Sequence, residues 1–114
     1  MNNLIFISSP YTNNNPNVVE ENYIKVSKLA AHLCSEGKIA ISPITYGHTL
    51  LQFKEMPGDW EFWKTFCLSL LVKCDELIVY KMEGWENSRG MKAEIEFAET
   101  LGIKITYLEY QETW

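Results

Sequence analysis

Along this chain the spacing of apolar residues switches repeatedly between that of a buried strand and that of an amphipathic helix. Leu4-Ile5-Phe6-Ile7 is an unbroken apolar run, the pattern of a strand covered on both faces, and it stops at Ser8-Ser9-Pro10-Tyr11-Thr12. Asn15-Pro16 then supplies a helix N-cap with proline in the first turn. Val19, Tyr23, Val26, Ala30 and Leu33 follow at helical spacing until Gly37 closes the segment. Ile39-Ala40-Ile41 reads as a second buried strand ended by Ser42-Pro43, and residues 44–53 hold either a short helix or an irregular excursion. Pro57-Gly58-Asp59 marks a break before a helix over 60–72, whose apolar stripe is Trp63, Phe66, Leu70 and Leu71. A strand over 76–80, a loop over 81–90, a helix from about Ser88 to Leu101 and a last strand over 103–108 complete the pattern.

Strands alternating with helices through short loops predict an α/β domain spanning residues 1–114. Its core is an open, mostly parallel sheet of about four to five strands with helices on both faces, Rossmann-like or flavodoxin-like. Ligands of such sheets sit beyond the carboxyl ends of the strands. That rule gathers Ser8, Ser9 and Tyr11, the segment from Ser42 to His48, and the segment from Glu83 to Gly90 into one crevice.

The last helix carries the residue with the clearest chemical signal. At about 100° per residue, Met91, Ile95, Ala98, Leu101 and Gly102 share one face, and Glu94 falls in the middle of it. Lys92, Glu96, Glu99 and Thr100 point the other way, as an exposed surface requires. A charge turned inward must be paired, hydrogen-bonded or used in chemistry. The loop before it, Gly84 to Gly90, is small and polar and ends at a helix start, where free N–H groups and the helix dipole favour an anion. A phosphate seat is therefore expected about two turns from a buried carboxylate.

Composition narrows the partners. With 114 residues, 46% apolar and 22% charged, the chain has material for one core. Ten basic against 15 acidic residues leave a net charge of −5, which argues against a nucleic-acid polymer and leaves small molecules as the expected ligands. No apolar run reaches the roughly 18 residues of a membrane span and no basic leader opens the chain, so a cytoplasmic protein is expected. Cys34, Cys67 and Cys74 are odd in number and lack paired CxxC spacing, so neither a disulfide framework nor a metal site is indicated, and no cofactor is called for. Cys34 and Cys74 read as small core residues.

One series of motifs resembles a known family. Ile7-Ser8-Ser9-Pro10-Tyr11, Ser42-Pro43-Ile44 with His48, Pro57-Gly58-Asp59-Trp60-Glu61-Phe62-Trp63, Cys74-Asp75-Glu76-Leu77, and Gly84-Trp85 with Ser88-Arg89-Gly90 and Glu94 look like the bacterial and phage family DUF1937, in order and over nearly the whole chain. That family is in turn similar to the nucleoside 2-deoxyribosyltransferases and the nucleoside 5′-monophosphate N-glycosidases. In those enzymes a glutamate on the helix after the phosphate or sugar loop attacks the anomeric carbon and forms a glycosyl ester, a role the resemblance gives to Glu94. Tyr11 matches loosely the tyrosine that orients this nucleophile. Six residues before the nucleophile the transferases tend to carry an acid and the monophosphate hydrolases a serine; this chain has Ser88, which implies a nucleotide. Ser9 matches a phosphate-binding serine, Ser8 lies beside it, Gly90 lets the backbone approach the phosphate oxygens, Arg89 adds charge, and His48 is placed to contact the base.

The chain departs from this pattern at Cys67, about eight residues before Asp75, where the resemblance implies an aspartate that helps the leaving base. A thiol is a poor proton donor, with a reference pKa near 8.5, so either the base leaves unaided, another residue such as His48 or Asp75 helps, or catalysis is slow. Asp75 precedes its strand and reads as structural. Three functions stay open: hydrolysis of a nucleotide N-glycosidic bond, nucleotide binding without turnover, and deoxyribosyl transfer. A flavodoxin-like electron carrier is disfavoured because Pro10 interrupts the donor run after the first strand. The resemblance also implies a homodimer or higher homo-oligomer, and the aromatic surface around Trp60 and Trp63 would suit such an interface; Trp60, Trp63 and Trp85 are candidates to stack a base.

Overall fold

The computed structural model describes residues 2–114. Among these, the elements in chain order are β1 (Leu4–Ser8), α1 (Pro16–Ser35), β2 (Ile39–Ile41), α2 (Pro43–Leu51), α3 (Trp60–Leu71), β3 (Glu76–Lys81), α4 (Arg89–Leu101) and β4 (Lys104–Glu109), with a short 3-10 turn at Trp85–Asn87. All strand pairs are parallel and the sheet order is β2-β1-β3-β4.

Local chemistry sets the helix ends. Asn15 caps α1 by accepting from the Asn17 N–H at 2.9 Å, Ser42 caps α2 through the Thr45 N–H at 3.1 Å, and Ser88 caps α4 through the Met91 N–H at 3.3 Å. Pro16 and Pro43 occupy the first turns, where no N–H is needed. Residues 44–53 are therefore largely helical: Ser42-Pro43 ends a strand and starts a helix in the same two residues. Gly102, at φ 72°, ends α4, and the Ile103 N–H reaches back to Ala98 O at 2.9 Å.

Side-chain alternation along the inner strands divides the core. Ile5, Ile7, Ile78 and Tyr80 face α1 and pack on Val26, Leu29 and Leu33. Phe6, Leu77 and Val79 face the other way, onto Cys67 and Leu71 of α3 and Met91 and Ala98 of α4. Helices thus cover both faces of an α/β sheet. No helix among the described residues is long and apolar enough to cross a membrane.

Four expectations about burial are corrected. Ile39 and Ile41 of β2 are 47% and 38% exposed, because β2 is an edge strand with one neighbour. On α3 the buried line passes through Cys67 and Leu71, leaving Phe66 exposed, and on α4 it stops at Ala98, leaving Leu101 exposed in the last turn. Cys34 is also exposed, in the last turn of α1 beside the edge strand, whereas Cys74 is buried as expected. Asp75 is structural: its Oδ2 accepts from the Leu4 N–H at 2.9 Å, at the amino end of the sheet.

Candidate active site

The chain leaves β1 toward β2 on one side and later arrives at β3 on the other. The strand order therefore reverses between β1 and β3, and their carboxyl ends diverge around a crevice. A cleft of about 780 Å³ opens there, within the size range of small-molecule sites. Ser9, Tyr11, His48, Ser88, Arg89, Gly90 and Glu94 all line it.

Glu94 is 6% exposed and lies in the second turn of α4. Ser8, the last residue of β1, shares the strand face of Phe6 and so points at α4. Its hydroxyl donates to Glu94 Oε1 at 2.6 Å. Burial pushes the Glu94 pKa up from 4.5 to about 7, while hydrogen bonds from Ser8 and from the Cys67 thiol pull it back down. The Cys67 thiol is pushed up to about 12, chiefly by burial and then by the Glu94 carboxylate and its hydrogen bond. Cys67 is therefore a neutral thiol beside the carboxylate.

The placement of Ser8 and Tyr11 differs from the sequence-based expectation. Ser8 is 1% exposed and does not line the cleft; it holds the carboxylate from behind. Tyr11, expected to orient Glu94, shares a hydrogen bond of 2.7 Å with His48 Nδ1 instead. His48 Nε2 in turn donates to Glu20 Oε1 at 3.2 Å, and the imidazole stacks on Tyr23 at 4.1 Å. Burial, and secondarily the Glu20 charge, raise the Tyr11 pKa, so the phenol stays protonated. Asn22, buried on α1, donates to Tyr11 O at 3.2 Å and pins the loop after β1.

At the start of α4 the N–H groups of Arg89 and Gly90 have no partner within the helix. The Ser88 hydroxyl accepts from Met91 and keeps its own proton to donate. The Ser9 hydroxyl is buried without a partner on the cleft wall, the kind of group a ligand satisfies. Arg89 is exposed and ion-paired to Glu61 at the rim. Trp60 and Trp63 line the cleft, whereas Trp85 lies outside it, against Tyr107. Among the described residues, no group of three or more His, Cys, Asp or Glu is placed to hold a metal.

Gly90 has a packing reason beside any ligand. A Cβ there would lie 3.0 Å from Trp60 Cε3 and 3.4 Å from Cδ2. Gly90→Ala gains helix propensity but must displace the indole, and overpacking outweighs propensity. A net loss of about 1 kcal/mol is expected in urea unfolding; unchanged stability would show that Trp60 moves freely.

Glu20, Tyr23 and Asn22 escape a reading of motifs. Asn22 alone had a usable signal, a polar side chain on the stripe between Val19 and Val26. Residues 3–110 match the family model of DUF1937, a domain of unknown function, and the chain belongs to that family. No curated protein matches it significantly.

Proposed function

We propose that the protein hydrolyses the N-glycosidic bond of a nucleoside or deoxynucleoside 5′-monophosphate, with Glu94 as nucleophile. One observation carries this reading: a carboxylate buried on the cleft floor and held by Ser8, in a cleft also faced by the free start of α4 and the unpartnered Ser9 hydroxyl. A phosphate fits the second feature and an anomeric carbon the first. Glu94 attacks that carbon through an oxocarbenium-like transition state, the base departs, and water cleaves the resulting ester. Ser9, Ser88 and the Arg89 and Gly90 N–H groups hold the phosphate, and Trp60 or Trp63 offers a face to the base. The protein would act in the cytoplasm as a homodimer or higher homo-oligomer; exposed Tyr46, Phe62 and Phe66 beside Trp63 suit contact between copies.

A second reading, nucleotide binding without turnover, draws on Cys67, whose high-pKa thiol stands where the resemblance implies an acid. Base exchange between deoxyribosides would use the same nucleophile with a second base in place of water. The test is to incubate the protein with ribo- and deoxyribonucleoside 5′-monophosphates and the matching nucleosides, with and without a second base, and follow free base by chromatography. Release from a nucleotide without an acceptor, and little from its nucleoside, is expected. A raised melting temperature with no release moves the assignment to binding, and release only with an acceptor moves it to transfer.

A further inference from the structure

We infer that Tyr11, His48 and Glu20 form a proton relay serving the departing base, with Tyr11 as the catalytic donor and Glu20 as a positioning residue. This rests on the N-glycosidase reading above.

The need comes from the leaving group. A nucleobase departs poorly as an anion, so a proton must reach it, and neither Cys67, beside Glu94, nor Asp75 supplies one. Cys67 is a thiol with its pKa pushed up to about 12, and Asp75 is bonded to the Leu4 N–H at the opposite end of the sheet. The second wall of the cleft does hold a connected set. Glu20 is 55% exposed and reaches solvent, His48 is 12% exposed and bridges, and Tyr11 stands on the cleft wall. A carboxylate only accepts, so His48 Nε2 carries a proton toward Glu20, and Nδ1 is left to exchange one with the Tyr11 oxygen. Stacking on Tyr23 fixes the imidazole, and the Asn22 bond to the Tyr11 carbonyl pins the loop that carries the phenol. The titratable groups facing His48 are Tyr11 from the loop after β1 and Glu20 and Tyr23 from α1. A brace that merely held α2 against α1 needs neither the Glu20 carboxylate nor a hydroxyl at the cleft.

The protons balance over one turnover. With His48 as imidazolium, Nδ1–H donates to the Tyr11 oxygen and the phenol proton faces the cleft. As the bond from the anomeric carbon to the base nitrogen breaks and the bond to Glu94 forms, Tyr11 protonates the base and takes the Nδ1 proton. Water then adds to the anomeric carbon, the ester bond breaks, Glu94 recovers its electron pair, and the proton of the water returns through Tyr11 to His48.

The experiment compares a nucleoside 5′-monophosphate with a 4-nitrophenyl riboside 5-phosphate, whose nitrophenolate leaves without a proton. On the nucleotide, Tyr11→Phe and His48→Gln are expected to lower kcat about 100-fold, and Glu20→Gln about tenfold with KM little changed. On the nitrophenyl substrate all three stay within about threefold of the wild type, while Glu94→Gln loses both activities. Equal losses on the two substrates, or none on the nucleotide, overturn the relay and leave the N-glycosidase reading standing. A wild type inactive on both substrates removes that reading and the relay with it. Glu20 is exposed, so Glu20→Gln keeps the comparison decisive if either ring variant fails to fold.

Discussion

Glu94→Gln is expected to lower base release from the nucleotide by about a thousandfold or more while the protein stays folded and still binds it. Glutamine keeps the shape and the oxygen that accepts from Ser8, so the 2.6 Å hydrogen bond and the packing of α4 survive. What is lost is the charge that stabilises an oxocarbenium-like carbon and the electron pair that bonds to it, and removal of a nucleophile alone costs nearly as much as dismantling its whole site. The pKa of about 7 adds a signature. Below it Glu94 is protonated and cannot attack, so the acid limb of the wild-type kcat/KM profile should climb with pH through about 7. The checks are single-turnover base release, nucleotide binding by calorimetry, and the pH profile. A variant that keeps more than about a tenth of the rate would place the chemistry elsewhere in the cleft.

Much of the frame was legible because local rules and tertiary packing agree. Asn15-Pro16 predicts the start of α1 and does so by the cap the structure shows. Ser42-Pro43 carries the same signal, and it was ambiguous only because a three-residue strand ends on the same residues. Strand character was visible in apolar runs, but edge position was not. Ile39-Ala40-Ile41 and Leu4-Ile5-Phe6-Ile7 look alike, yet only the second is flanked by two strands. Which sequence-remote strands become neighbours is decided by the whole sheet, and a three-residue run holds no trace of it.

The site was legible to the extent that it obeys helical periodicity. Glu94 stood out as a polar residue on an apolar face, and the same test applied to α1 isolates Asn22, whose amide holds the Tyr11 loop. The partners of these residues were harder. Whether Ser8 or Tyr11 holds the carboxylate depends on strand parity at the end of β1: Phe6 and Ser8 look toward α4, while Tyr11 lies beyond the strand and reaches α2. Glu20 gave no signal at all, since an exposed helical glutamate becomes special only when α2 folds back to bring His48 against it.

Burial of Glu94 should also show in folding, and here its cost is larger than that of any surface ion pair in the molecule. In the unfolded chain this carboxyl ionises near 4.5, and in the folded protein at about 7. Between those values the native state holds a proton that the unfolded chain has released, so the contribution of this group to stability is full below about 4.5 and is lost as pH rises through about 7. At about 1.4 kcal/mol per pKa unit the loss amounts to about 3 kcal/mol by pH 8. Other acids titrate over the same range, so the quantity to measure is the difference between wild type and Glu94→Gln. That variant carries no charge at either end of the range and should gain about 3 kcal/mol on the wild type between pH 4 and pH 8 in urea unfolding. A difference that stays flat with pH would mean that the folded protein ionises Glu94 as easily as water does, and the carboxylate would then be hydrated rather than desolvated by burial. Glu94 in this setting sits near the midpoint of its titration at neutral pH, so the stability forgone by keeping it buried is tied to the same desolvation that, on the proposed reading, would leave the ionised carboxylate reactive toward a cationic carbon.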